Sequence, residues 1–137
     1  MPPIALAAAA ALAASLPVSA AAPATIAGMK WHHRILLVAA PVPGDHALLE
    51  QRRILAVWQQ GAADRDIALV EIVGGHVTGS GDDAAALRRH WKLPTPRFAV
   101  VLIGKDGHEA MRRDAPIPAA ALQGTIDAMP MRRAGQR

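Results

Sequence analysis

A chain of 137 residues has room for one domain around one hydrophobic core. It holds no cysteine, which excludes disulfide staples and every mechanism that needs a thiolate, whatever the fold. The net charge of +4 gathers at the end of the chain, where Arg132, Arg133 and Arg137 stand. One Phe, no Tyr and three Trp offer little for bases to stack on, so nucleic acid is not an expected partner.

Residues 1–22 read as a cleavable export signal. An unbroken run of Ala, Leu, Ile and Ser over residues 4–16 stops at Pro17, and small residues follow, so cleavage is expected after Ala20 or Ala22. The run is too short to cross a bilayer core of about 30 Å as a helix. The mature protein is therefore expected to be periplasmic or secreted, without a permanent membrane anchor. Met1, Pro2 and Pro3 carry no basic side chain, which leaves the α-amino group as the positive charge ahead of the run. Residues 23–29, rich in Pro, Ala, Thr and Gly, read as a flexible lead.

The folded domain is expected over residues 30–131, ahead of a basic, solvated tail over 132–137. Residues 34–40, RILLVAA, are apolar after the arginine and bounded by Pro41 and Pro43, the pattern of a strand buried on both faces. A helix is expected over 45–60 with Asp45 as its N-cap. Ala47, Leu48, Gln51, Ile54, Leu55 and Trp58 share its inner arc, and Glu50, Arg52, Arg53 and Gln60 its outer one. Residues 67–73 form a second apolar strand, so strand, helix and strand make a parallel unit with a right-handed crossover. The glycine-rich stretch 74–81 reads as a connection to a helix that runs from Asp82 or Asp83 to Trp91 and is stopped by Pro94 and Pro96. Residues 98–103, a Lys105-Asp106-Gly107 turn and residues 108–113 form a β-hairpin. In the closing helix Leu122, Ile126 and Met129 fall on one face. The order β-α-β-α-β-β-α is that of an α/β, thioredoxin-like fold with a four-stranded mixed sheet flanked by helices.

The strand running into Gly104-Lys105-Asp106-Gly107, the closing helix ending in Asp127, Met129, Pro130, Met131, Arg132 and Arg133, and the pair Trp31 and Arg34 at the first strand are similar to the DUF4174 family. These are small thioredoxin-like proteins of unknown function, and the resemblance runs over roughly residues 29–133. It implies the same architecture, with strands in spatial order 2-1-3-4. The family in turn resembles domains of secreted matrix proteins and, more distantly, peroxiredoxins, which implies an interaction role.

In thioredoxins and peroxiredoxins the reactive cysteine sits where the first strand meets the first helix, here residues 40–46. Asp45 and His46 could form an acid/base pair in the vacated place, although Asp45 is more simply a cap. Pro96, before the third strand, stands where thioredoxins keep a cis-proline that exposes backbone for an extended peptide. Gly79-Ser80-Gly81-Asp82-Asp83-Ala84 fits a dinucleotide fingerprint, but two carboxylates would meet the pyrophosphate at the helix start, and it reads as a capped loop. The six histidines lack metal-ligand spacing. Trp58 and Trp91 belong on apolar helix arcs, which leaves Trp31 as a candidate ligand platform. Arg112 and Arg113, with Arg132 and Arg133, could bind a carboxylate or simply protect a sheet edge.

The reading that follows is an exported module without redox cysteines, a non-catalytic binding or accessory protein with no cofactor and with an unknown protein or small-molecule partner in the periplasm. Its alternatives are a cysteine-independent, hydrolase-like enzyme using Asp45 and His46, and a metal-handling protein.

Overall fold

Residues 22–135 are described in a computed structural model. The expected leader lies outside them apart from Ala22, as do Gln136 and Arg137 of the tail. The regular elements are β1 (Arg34–Ala40), α1 (His46–Val57), α2 (Gln59–Asp64), β2 (Ile67–Val73), β3 (His76–Thr78), α3 (Ala84–Trp91), β4 (Ala99–Ile103), β5 (Glu109–Arg113), α4 (Ala119–Asp127) and α5 (Pro130–Arg133). They build one sheet in the order β3-β2-β1-β4-β5. β1 and β2 run parallel, and every other neighbouring pair is antiparallel.

The sheet has five strands where four were expected. The additional one, β3, forms because Gly74, at φ +59°, and Gly75 close a two-residue turn that lays Val77 beside Ile72. What reads as a glycine-rich connection is a hairpin that extends the β2 edge.

β1 is buried along its whole length, and its alternation divides the core in two. Ile35, Leu37 and Ala39 join Val70, Ile72, Val101 and Ile103 under Leu87 of α3 and Leu93. On the other face, Leu36, Val38, Val100 and Leu102 meet Leu48 of α1 and Leu122 and Ile126 of α4. Burying each of these Leu and Ile side chains contributes about 1.5–3 kcal/mol. Gln51 belongs to this second layer, where its side-chain amide accepts from the Ile117 N–H at 2.7 Å and donates to the Ile117 carbonyl at 3.2 Å. The buried amide thereby ties the approach to α4 onto α1 and leaves neither polar end unpaired.

Three boundaries differ from expectation. The lead over 23–29 is packed in its second half, because Ile26 and Met29 insert into the first core layer and Asp82 accepts from the Ile26 N–H at 2.7 Å. The helix expected over 45–60 breaks at Trp58, whose indole lies so close to Gly61 that a Cβ there would come within 2.0 Å of it. The basic end is structured through Arg133 as α5, and Arg132 donates to the Asp64 carbonyl at 3.1 Å.

Candidate functional site

β1 has two ends, and they differ in chemistry. Its Ala40 end leads into residues 41–46, part of the stretch 40–46 that was expected from the sequence to correspond to the thioredoxin reactive position. Asp45 caps α1 there, its Oδ1 accepting from the Leu48 N–H at 3.0 Å, and His46 is exposed beside it. The helix N-terminus thus already carries a carboxylate of its own. Pro96 is also exposed near this end, and no peptide bond among the described residues is cis. The loop before it is fixed by Arg88, which donates to the carbonyls of Pro94 at 2.8 Å and Gly74 at 2.9 Å.

The remaining sequence candidates are spread over the molecule. Arg112 donates to Glu109 at 2.7 Å and to the carbonyls of Trp91 and Lys92, while Arg113 bonds the Arg112 carbonyl. Arg132 turns to Asp127 instead. The structure therefore ties the two arginine pairs to different elements. All six histidines are exposed, and no three potential metal ligands gather among the described residues. Asp82 and Asp83, in the dinucleotide-like loop, hold the Ile26 N–H and cap α3.

At the Arg34 end of β1 lies a cleft of about 230 Å³. Its walls are Trp31, Ala110, Met129 and Met131, and Arg34 and Lys105 contribute to its lining. Trp31 is 58 % exposed and has φ +72°, a region that a bulky side chain rarely enters. Its N–H donates to the Lys105 carbonyl at 2.6 Å, which holds it there. Of the three non-glycine residues with positive φ among those described, Asp66 stands at this end too. Backbone strain of this kind concentrates at binding and catalytic sites, because the surrounding structure must maintain it at a cost of about 1–3 kcal/mol.

Two cations lie beneath. Arg34 is 1 % exposed, its Nη1 donating to the Arg65 carbonyl at 2.8 Å and its Nε to the Met129 sulfur at 3.4 Å. Burial, followed by the nearby Arg132, lowers its pKa from the ordinary guanidinium value. Lys105, also buried, donates to Asp66 at 2.9 Å. Arg65 grips Asp127 with two bonds of 3.1 and 3.0 Å and holds that carboxyl below the usual aspartate range, with Arg132 adding to the effect. Four cations, Arg34, Arg65, Lys105 and Arg132, thus share two carboxylates, Asp66 and Asp127. At the rim Glu109 is matched by Arg112, and Asp106 accepts from the His108 N–H at 3.0 Å.

Trp31, Arg34, Gly104, Lys105, Met129, Pro130 and Met131 all line this cleft. All seven are among the residues on which the sequence resemblance rests, drawn from both ends of the domain to one place. Sequence reasoning singled out Trp31 as a ligand contact but placed Arg34 at the head of the first strand, Lys105 in the hairpin turn and Met129 on the inner face of the closing helix, with no role at a site. The signal available was Arg34 itself, a charge heading a strand that is otherwise wholly apolar.

Two solved structures share the fold. One, described as a malarial protein, is 17% identical with a TM-score of 0.50, over 69% of this chain and 94% of its own. The other, thioredoxin-2, described as a component of the malaria parasite protein secretion machinery, is 16% identical with a TM-score of 0.51, over 71% of this chain and 84% of its own. Identities this low speak for a thioredoxin-like fold and for nothing finer. No curated protein matches the sequence. The profile of one family matches residues 25–135, and by that match the chain belongs to DUF4174, a family defined by a domain of unknown function.

Proposed function

We propose that the protein is a non-catalytic binding or accessory module that takes its ligand at the Arg34 end of β1, away from the thioredoxin reactive position. The observation carrying this reading is the convergence of a strained, exposed Trp31 with a buried Arg34 and Lys105 on one cleft. An exposed aromatic beside buried charge combines contact area with orientation, which is the composition of small ligand sites. The thiol chemistry of the fold is absent with its cysteines. The Asp106–His108 pair at the rim leaves the imidazole 83% exposed, in water rather than in a desolvated site that would prepare it as a general base.

A photoreactive side chain in place of Met131, in the full chain expressed in its host, tests the reading. It should capture a defined ligand or partner, and adding Trp31→Ala should abolish that capture. Capture unaffected by Trp31→Ala, or no capture, contradicts it.

The same proposal places the protein outside the cytoplasm, on the strength of the apolar run and small residues over 1–22. The exported protein should begin at Ala21 or Pro23 by mass spectrometry. An intact Met1 start on the membrane-bound protein would contradict this.

A further inference from the structure

The cleft holds about 230 Å³, below the roughly 300–1,000 Å³ of sites that enclose a drug-sized ligand. It therefore admits one group about the size of a side chain. Its walls of Trp31, Met129, Met131 and Ala110 suit an apolar group, and its floor suits an anion. One bond at the floor is weak: Arg34 Nε donates to a thioether sulfur, a poor acceptor, at 3.4 Å. A carboxylate entering the cleft would replace that contact with a charge-assisted bond, and a guanidinium fork matches carboxylate geometry.

Charge favours an anion. At the floor Arg34, Arg65, Lys105 and Arg132 outnumber Asp66 and Asp127. At the rim Glu109 is met by Arg112, and Asp106 shares the adjoining groove with Lys30, whose Nζ lies 5.3 Å from the centre of the Trp31 ring.

The cleft also has a continuation. A second groove of about 470 Å³ shares Asp106 and His108 with it and runs past Lys30, Leu87, His90 and Trp91. A ligand whose charged end and one apolar group fill the small cleft can extend into the larger groove.

We infer that the cleft receives the free C-terminus of a polypeptide with an apolar last residue, its carboxylate on Arg34, its last side chain between Trp31 and Met131, and its preceding residues in the adjoining groove. This rests on the binding role proposed above. The capture of C-terminal carboxylates is an established mode of peptide recognition.

The probes are N-acetyl-Ala-Ala-Leu with a free carboxylate, its C-terminal amide, and 4-methylpentanoate, which keeps the acid and the branched body but lacks the peptide. Each is titrated into the full chain by calorimetry, with the Trp31 indole N–H followed by NMR and identified by its loss in Trp31→Ala. The peptide acid should bind at least tenfold more tightly than the amide and than 4-methylpentanoate, and should shift the Trp31 signal. Arg34→Lys, which keeps the charge but loses the fork, should narrow the acid-to-amide ratio to within threefold. Because Arg34 is buried, Trp31→Ala serves as a second variant at an exposed position, and it should weaken the peptide acid at least fivefold.

Equal binding of acid and amide overturns the carboxylate, and equal binding of 4-methylpentanoate overturns the peptide. Absence of binding by all three overturns the inference. Each of these results leaves the Met131 capture standing or falling by itself, so failure here is distinguishable from failure of the binding role.

Discussion

Trp31 sits in a left-handed backbone conformation that costs an ordinary L residue about 1–2 kcal/mol, and it spends that cost on an indole that remains 58% exposed. If the conformation serves the cleft rather than the fold, two truncations of the side chain should part company in stability. Trp31→Gly enters the left-handed region freely and Trp31→Ala does not, so the glycine variant should be more stable by about 1 kcal/mol in urea melts, while both lose ligand capture. An alanine variant as stable as the glycine one would mean the turn relaxes and the φ of Trp31 carries no strain. At this scale, what the sequence discloses depends on distance along the chain. Asp45 as an N-cap was legible because its partner, Leu48, is three residues away. Arg34 as the floor of a site was not, because its neighbours Arg65 and Met129 lie 31 and 95 residues off, and only the folded sheet brings them together.

Among the elements, the closing helix shows how well periodicity works where one face is buried. Leu122 and Ile126 are fully buried against Val100, Leu102, Leu36 and Val38, on the face the 3.6-residue repeat assigned them, whereas Met129, expected on the same face, lies past the end of α4 in extended backbone and packs at the edge of that layer. Ile126→Ala should therefore cost about 2–5 kcal/mol, a large part of the roughly 5–15 kcal/mol expected for such a domain, whereas Arg133→Ala, on an exposed residue of α5, should change the urea midpoint little. Equal midpoints would remove α4 from the core. The elements that escaped sequence reading share a cause. β3 is three residues long and edged by glycines, so its hairpin signal, Gly74-Gly75 after an apolar strand, is outweighed by the loop-like composition around it. The break at Trp58 comes from an indole lying against Gly61, a contact within a turn that binary patterning does not register. The packed half of the lead depends on Ile26 meeting Asp82, 56 residues away.

For the molecule as a whole, the sheet places its two possible sites at opposite ends of one buried strand. The Ala40 end is closed by local bonds, Asp45 to its own helix and Arg88 to its own loops. The Arg34 end gathers strain, buried charge and exposed aromatic surface. The described residues include no helix long and apolar enough to cross a membrane.

The choice between the two ends is tested most directly by photocrosslinking from each in the full chain, with the photoreactive residue at Met131 beside the cleft in one variant and at Val42, exposed after β1, in the other. A ligand at the Arg34 end gives an adduct from position 131 that competing unmodified protein suppresses, and none above background from position 42. An adduct specific to position 42, with position 131 silent, would return the site to the thioredoxin position and contradict the assignment.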